Sequence, residues 1–101
     1  MNNREELQSI LEDILGSSEV YFQPPENLKI NYPAIVYSLD GITTFSSDNK
    51  PYVLFDSYQV TMIDKNPVND IVKKIAKLPF CRFERSFRSD NLNHYVFKIF
   101  Y

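Results

Sequence analysis

The 101-residue chain reads as an α+β domain, a mostly antiparallel sheet with two helices packed on one face, in the order α-β-β-β-α-β-β. Three observations predict it. Two stretches repeat their apolar residues with the helical period. Several runs alternate at the strand period of two. The last twenty-odd residues form two aromatic strand segments about a polar Asp90-Asn91 turn, so the C-terminus is a core hairpin rather than a tail.

The first helix is written by Leu7, Ile10, Leu11, Ile14 and Leu15, an i, i+3, i+4, i+7, i+8 stripe. Asn3 and Glu6 approximate a capping box, Glu5 and Glu6 suit the positive end of the helix dipole, and Gly16 supplies a left-handed stop. Val20-Tyr21-Phe22 is a short strand ended by Pro24-Pro25, and residues 24–33 form a connector. Ala34-Ile35-Val36-Tyr37-Ser38-Leu39 suits a central strand buried on both faces.

The stretch from Asp40 to Pro51, rich in Thr, Ser, Asp and Asn, is expected to be a mobile projecting loop at about 40–52. Residues 53–64 then form a long half-buried strand paired with 34–39. Leu54, Tyr58, Val60 and Met62 face one way and Ser57, Gln59 and Thr61 the other. Asn66-Pro67 reads as an N-cap and first helical position, and Val68, Ile71, Val72 and Ile75 are the apolar face of a second helix ended by Pro79. Residues 81–88 and 93–101 close the sheet, with Tyr95, Phe97, Ile99 and Tyr101 directed to the core.

One domain of this length buries roughly 60–70% of its extended-chain surface. Its 44% hydrophobic, 24% charged and 15% aromatic residues are a globular balance that excludes a disordered polyelectrolyte. A net charge of −2 gives no footprint for specific nucleic-acid binding. With one cysteine, Cys81, no intrachain disulfide is possible. No signal peptide or membrane-spanning run is visible, and a cytosolic protein is expected.

Chemistry is sparse. His94, the only histidine, reads as solvent-facing or turn-supporting, because a metal site or a Ser-His-Asp unit needs more partners than it has. Cys81 reads as a small buried hydrophobe rather than a nucleophile. Asp40, Asp48, Asp56 and Asp64 resemble a carboxylate set, yet caps, turns and solvation account for their loop and strand-end positions. Two glycines, Gly16 and Gly41, cannot build a phosphate-cradling loop. No catalytic, metal or cofactor residue is assigned, and no enzymatic activity is expected.

The informative surface residues are aromatic and basic. Phe45 and Tyr52 fall in the long loop, Phe55 on the polar face of its strand, and Phe100 opposite Tyr101. With both helices on one side of the sheet, such residues point either to an interface in an oligomer or docking module or to spill-over from the core. Arg82, Arg85 and Arg88 recur every third residue, which on a regular strand puts 82 and 88 on one face, with Glu84, and 85 on the other. Cross-strand ion pairing is the plainer reading of these arginines and an inter-subunit salt link the sharper one.

Tyr21-Phe-Gln-Pro-Pro25, Tyr32-Pro-Ala-Ile-Val-Tyr37, Tyr58-Gln-Val-Thr-Met-Ile-Asp64 and Asp90-Asn-Leu-Asn-His-Tyr-Val-Phe97, taken with the element order, resemble small tail-assembly proteins of tailed phages and prophages of Gram-positive bacteria. The likeness covers essentially the whole chain and is closest to the tail terminator, tail completion or head-tail joining group. It implies a non-enzymatic structural protein forming a ring, commonly a hexamer, at the head-proximal end of the tail. The ring stops tube growth and joins tail to head. Its partners are further copies of itself, the tail tube protein and the head-tail connector. There is no membrane and no cofactor, and DNA passes through the lumen without specific binding. The implied location is the host cytoplasm during assembly and then the virion. A head-tail adaptor or head-completion protein is the alternative within this class; a small phage enzyme or host-inhibiting protein using Asp40 to Asp56 is the alternative outside it.

Overall fold

The structure, a computed structural model, describes the backbone of residues 4–45, 53–67 and 70–101, and the side chains of all these except 43–45 and 53–55. Elements follow the expected order: α1 (Arg4–Leu15), β1 (Val20–Phe22), β2 (Ala34–Phe45), β3 (Val53–Asp64), α2 (Asp70–Ala76), β4 (Cys81–Ser89) and β5 (Leu92–Phe100). The strands form one sheet in the spatial order β1-β2-β3-β5-β4. Every neighbouring pair is antiparallel except β1 and β2, which run parallel. The fold is α+β.

Both helices cover one face. Leu7, Leu11 and Leu15 of α1 and Ile75 of α2 share a core with Ile35 and Tyr37 of β2, Tyr58, Val60 and Met62 of β3, and Phe97 and Ile99 of β5. Most of these side chains are fully withdrawn from water, and each contributes roughly 1.5–3 kcal/mol of transfer free energy. Gly16 adopts φ +80° and its N–H donates to the Glu12 carbonyl at 2.8 Å, which ends α1 in the left-handed turn its sequence signalled. Asn3 of the expected capping box lies outside the described residues.

The closing hairpin turns as expected on Asp90 and Asn91. Both have positive φ, 53° and 64°, the backbone of a two-residue turn whose twist matches that of its strands. β5 is consequently an interior strand. Phe97 and Ile99 are buried, while Tyr95 and Tyr101 pack at the core margin.

Two features differ from expectation. First, β2 does not stop at Leu39. A bulge at Asp40 shifts its register against β3, after which Gly41 to Phe45 pair with Ser57 to Val53. Ile42, Thr43, Thr44 and Phe45 are β-branched or aromatic, and pairing with β3 outweighs the loop character of their neighbours. Because β5 ends opposite Ser57, the end of β2 and the start of β3 run beyond the rest of the sheet as a two-stranded arm.

Second, β3 rather than β2 holds the centre of the sheet. The structure describes α2 over Asp70–Ala76, and residues 68 and 69 of its expected first turn lie outside the described residues. Val68 of its predicted apolar face lies outside the described residues. Ahead of the helix, the Asp64 carboxylate accepts the Asn66 N–H at 3.2 Å.

Candidate functional site

Antiparallel partners project to the same face, so the register sorts the side chains into rows. On the helix side the rows are Ile35–Met62–Tyr95–Ser86, Tyr37–Val60–Phe97–Phe83 and Leu39–Tyr58–Ile99–Cys81. On the open side they are Ala34–Ile63–His94–Phe87, Val36–Thr61–Val96–Arg85 and Ser38–Gln59–Lys98–Arg82. The interior of the open face is made of small and β-branched side chains, of which Ala34, Ile63 and Val96 are buried. Its aromatic and charged residues stand toward the β4 side.

This arrangement corrects the expectation for the arginines. Glu84 is a bulge between Phe83 and Arg85, and the extra residue inverts the alternation of everything after it. Arg82 and Arg85 therefore share the open face, and Arg88, opposite Asn93, turns to the helix side. Arg82 donates to Glu84 within its own strand at 3.3 Å rather than across strands, a solvent-exposed pair of small energetic weight. The Arg85 guanidinium lies 5.8 Å from the Phe87 ring centre, and Phe87 stacks on His94 at 4.6 Å with planes 8° apart. His94 holds the turn, its Nδ1 lying 3.1 Å from the Leu92 carbonyl oxygen.

All of β4 beyond Cys81 is exposed, and among the described residues its outer edge has no neighbouring strand. Phe83 rests edge-on against Phe97, with ring centres 5.5 Å apart, while about half of it faces water. Such a long edge carries unpaired backbone donors and acceptors, here guarded by three arginines and a bulge. Beside it, Leu7 and Ile10 of α1, Leu78, Pro79 and Phe80, and the last residues of β5 line an apolar cavity of about 190 Å³.

The remaining candidates separate. Phe100 is half-buried on the open face, with the Lys98 ammonium 5.5 Å from its ring centre. Lys98 reaches over β3 to the bulged Asp40 at 3.1 Å, so both bulges of the sheet present a carboxylate held by a cation. Tyr52 and the side chains of Phe45 and Phe55 lie outside the described residues.

The carboxylate set does not converge. Asp40 pairs with Lys98, Asp56 accepts from the Tyr58 hydroxyl at 3.4 Å, and Asp64 is buried at the turn into α2. Asp48 lies outside the described residues. Among the described residues no three His, Cys, Asp or Glu side chains group as metal ligands, and no helix is long and apolar enough to cross a membrane. Cys81 is half-buried, and burial pushes its thiol up to about 11, so at neutral pH it is a thiol and not a thiolate nucleophile.

Sequence reasoning missed the largest exposed apolar residues: Leu28, Leu39, Ile42, Phe80, Phe83 and Phe87 are 40–69% exposed. No local signal marks them, because strand position and bulge placement decide their exposure. The fold and this surface define a small α+β protein whose distinctive features are its sheet edges. No protein family, curated protein or solved structure matches the chain.

Proposed function

We propose that this protein is a structural assembly subunit of a tailed phage or prophage, acting as a tail terminator or tail completion protein. It forms a ring at the head-proximal end of the tail, stops tube growth and provides the joint to the head. The observation that carries the reading is the β4 edge: nine residues, eight of them exposed, with three arginines and two half-exposed phenylalanines arranged for contact with another protein surface. The arm made by the ends of β2 and β3 supports it further, because a projecting hairpin can reach a tube or connector that the body of the sheet does not touch.

In this reading the partners are further copies of the chain, the tail tube protein and the head-tail connector. DNA passes through the ring without specific contacts, which suits a net charge of −2. The protein works in the host cytoplasm during assembly and remains in the virion. No catalytic step is required of it.

The test is direct. Purified protein is added to polymerising tail tube protein, and tube lengths and ends are read by electron microscopy. A ring-shaped cap on one end and arrested growth are expected. Uncapped tubes of unrestricted length, together with protein bound only at the connector, would favour the head-tail adaptor role.

A further inference from the structure

Charge is distributed unevenly along this chain, and the fold converts that into a polarity across the sheet. From the N-terminus to the start of β2, residues 1–33, two cations, Arg4 and Lys29, face six carboxylates, for a net charge of −4. From the end of β3 to the end of β4, residues 65–89, seven Lys and Arg face only Asp70 and Glu84, for a net charge of +5. The first segment builds α1 and the edge strand β1; the second builds α2 and the edge strand β4. α1 packs over β1 and β2 and against α2, which lies over β4, so β1 with its connector and β4 mark the two ends of the charge gradient. The two charge excesses therefore occupy opposite edges of one sheet, in a molecule whose overall net charge is only −2.

The exposed apolar residues divide the same way. Phe80, Phe83 and Phe87 belong to the β4 edge. Leu39 and Ile42 belong to β2 where it has outrun β1, and Leu28 to the connector between those two strands. Each edge thus offers exposed apolar side chains within a segment of net charge, and the two net charges are opposite in sign. Glu5 and Glu12 lie along the side of α1 from which Gln8 donates to the Val20 carbonyl in β1 at 2.9 Å, so they flank the acidic edge.

We infer that the occupant of each edge is the opposite edge of a second copy of this chain. The basic β4/α2 edge of one protomer docks on the acidic α1/β1–β2 edge of the next, head to tail, with Phe83 meeting Leu39 and Ile42 on the helix side of the sheet beside ion pairs. This inference rests on the ring reading above, and it names the surfaces that reading needs. A heterologous contact of this kind propagates, closing into a ring when the rotation per subunit allows and growing into a filament when it does not. Like edges repel, which disfavours the symmetric dimer and fixes the direction of assembly.

The experiment is sedimentation equilibrium of the full chain over a concentration series at low and high ionic strength, with two reversed variants. One carries Arg82→Glu and Arg85→Glu, the other Glu12→Lys and Glu26→Lys; all four positions lie at the surface or only partly buried. Circular dichroism checks folding, and the corresponding Gln substitutions serve if a reversal unfolds the chain. The wild type is expected to form species larger than a dimer that weaken with salt, and each variant to self-associate roughly ten-fold or more weakly. Mixing the two variants is expected to restore assemblies larger than a dimer, because the reversed β4 edge of one meets the reversed α1 edge of the other with complementary charge; a mixture that associates no better than either variant alone would overturn the contact. A wild type that is monomeric throughout at low salt, or that associates equally well after both reversals, would overturn the head-to-tail contact. Failure of the tail role reads differently: reversal-sensitive assemblies that leave tail tubes uncapped keep the contact and remove the tail-terminator function, whereas capping by either reversed variant does the opposite.

Discussion

The two edges of the sheet are built on different principles. β1 has only three residues, yet it is anchored from every side. Val20 is buried and its carbonyl accepts from Gln8, Phe22 packs 5.0 Å from Tyr37 and 6.5 Å from Tyr58, and Arg4 stands 4.5 Å over the Phe22 ring. Behind it, the Tyr37 hydroxyl donates to Gln8 Oε1 and accepts from Arg4. β4 is three times as long and, Cys81 apart, exposed along its whole length, held by the β5 ladder and α2. Strand length is therefore a poor guide to anchoring in this protein. The short strand is a stability element, and the long one is a surface that its own domain leaves largely uncovered.

The largest expected effect is at the centre both edges share. Val60, fully buried in β3, changed to Asp would place an unpaired carboxylate in the core at a cost of more than about 4 kcal/mol, a large part of a typical domain's stability. Loss of the far-ultraviolet dichroism is expected; a folded, soluble variant would show that the core is misplaced. On the anchored side, Leu11→Ala should cost about 2–5 kcal/mol in urea unfolding, since Leu11 is completely buried between α1 and the sheet. Tyr37→Phe should cost about 1–2 kcal/mol by stranding Gln8 and Arg4, and a value near zero would mean that the hydroxyl network does not secure β1.

At the start of β4, Cys81 gives a pH test. Burial raises its thiol from 9.0 to about 11, so across that interval the folded chain holds a proton that the unfolded chain has released. Stability is expected to fall as pH rises through the window, with a shallower fall in Cys81→Ala. At pH 8 the thiol should react slowly with a disulfide reagent until urea is added, and rapid labelling of the folded protein would contradict its burial. The smallest effect on folding belongs to the open edge. Phe87→Ala removes an exposed stack on His94 and should cost less than about 1 kcal/mol, while weakening association if the edge is an interface.

The sequence alone was sufficient for the order of elements, the core faces of α1 and β3, the left-handed Gly16 stop and the Asp90-Asn91 turn. Each of these is decided within a few residues by periodicity or by a backbone preference. It was also sufficient to read His94 as a turn-supporting residue. The tertiary structure decided what depends on partners distant in the chain. Pairing with β3 carried β2 through its Thr-rich stretch, and the parallel docking of β1 made an edge of the N-terminal segment. The bulge at Glu84 put Arg82 and Arg85 on one face where strict alternation separates them. Alternation is local, but one inserted residue inverts it for the rest of the strand, and a bulge forms only against its neighbour. For the same reason the segregation of acidic and basic segments, plain as a charge count in one dimension, acquired a direction only when strand order placed them at opposite edges of the sheet.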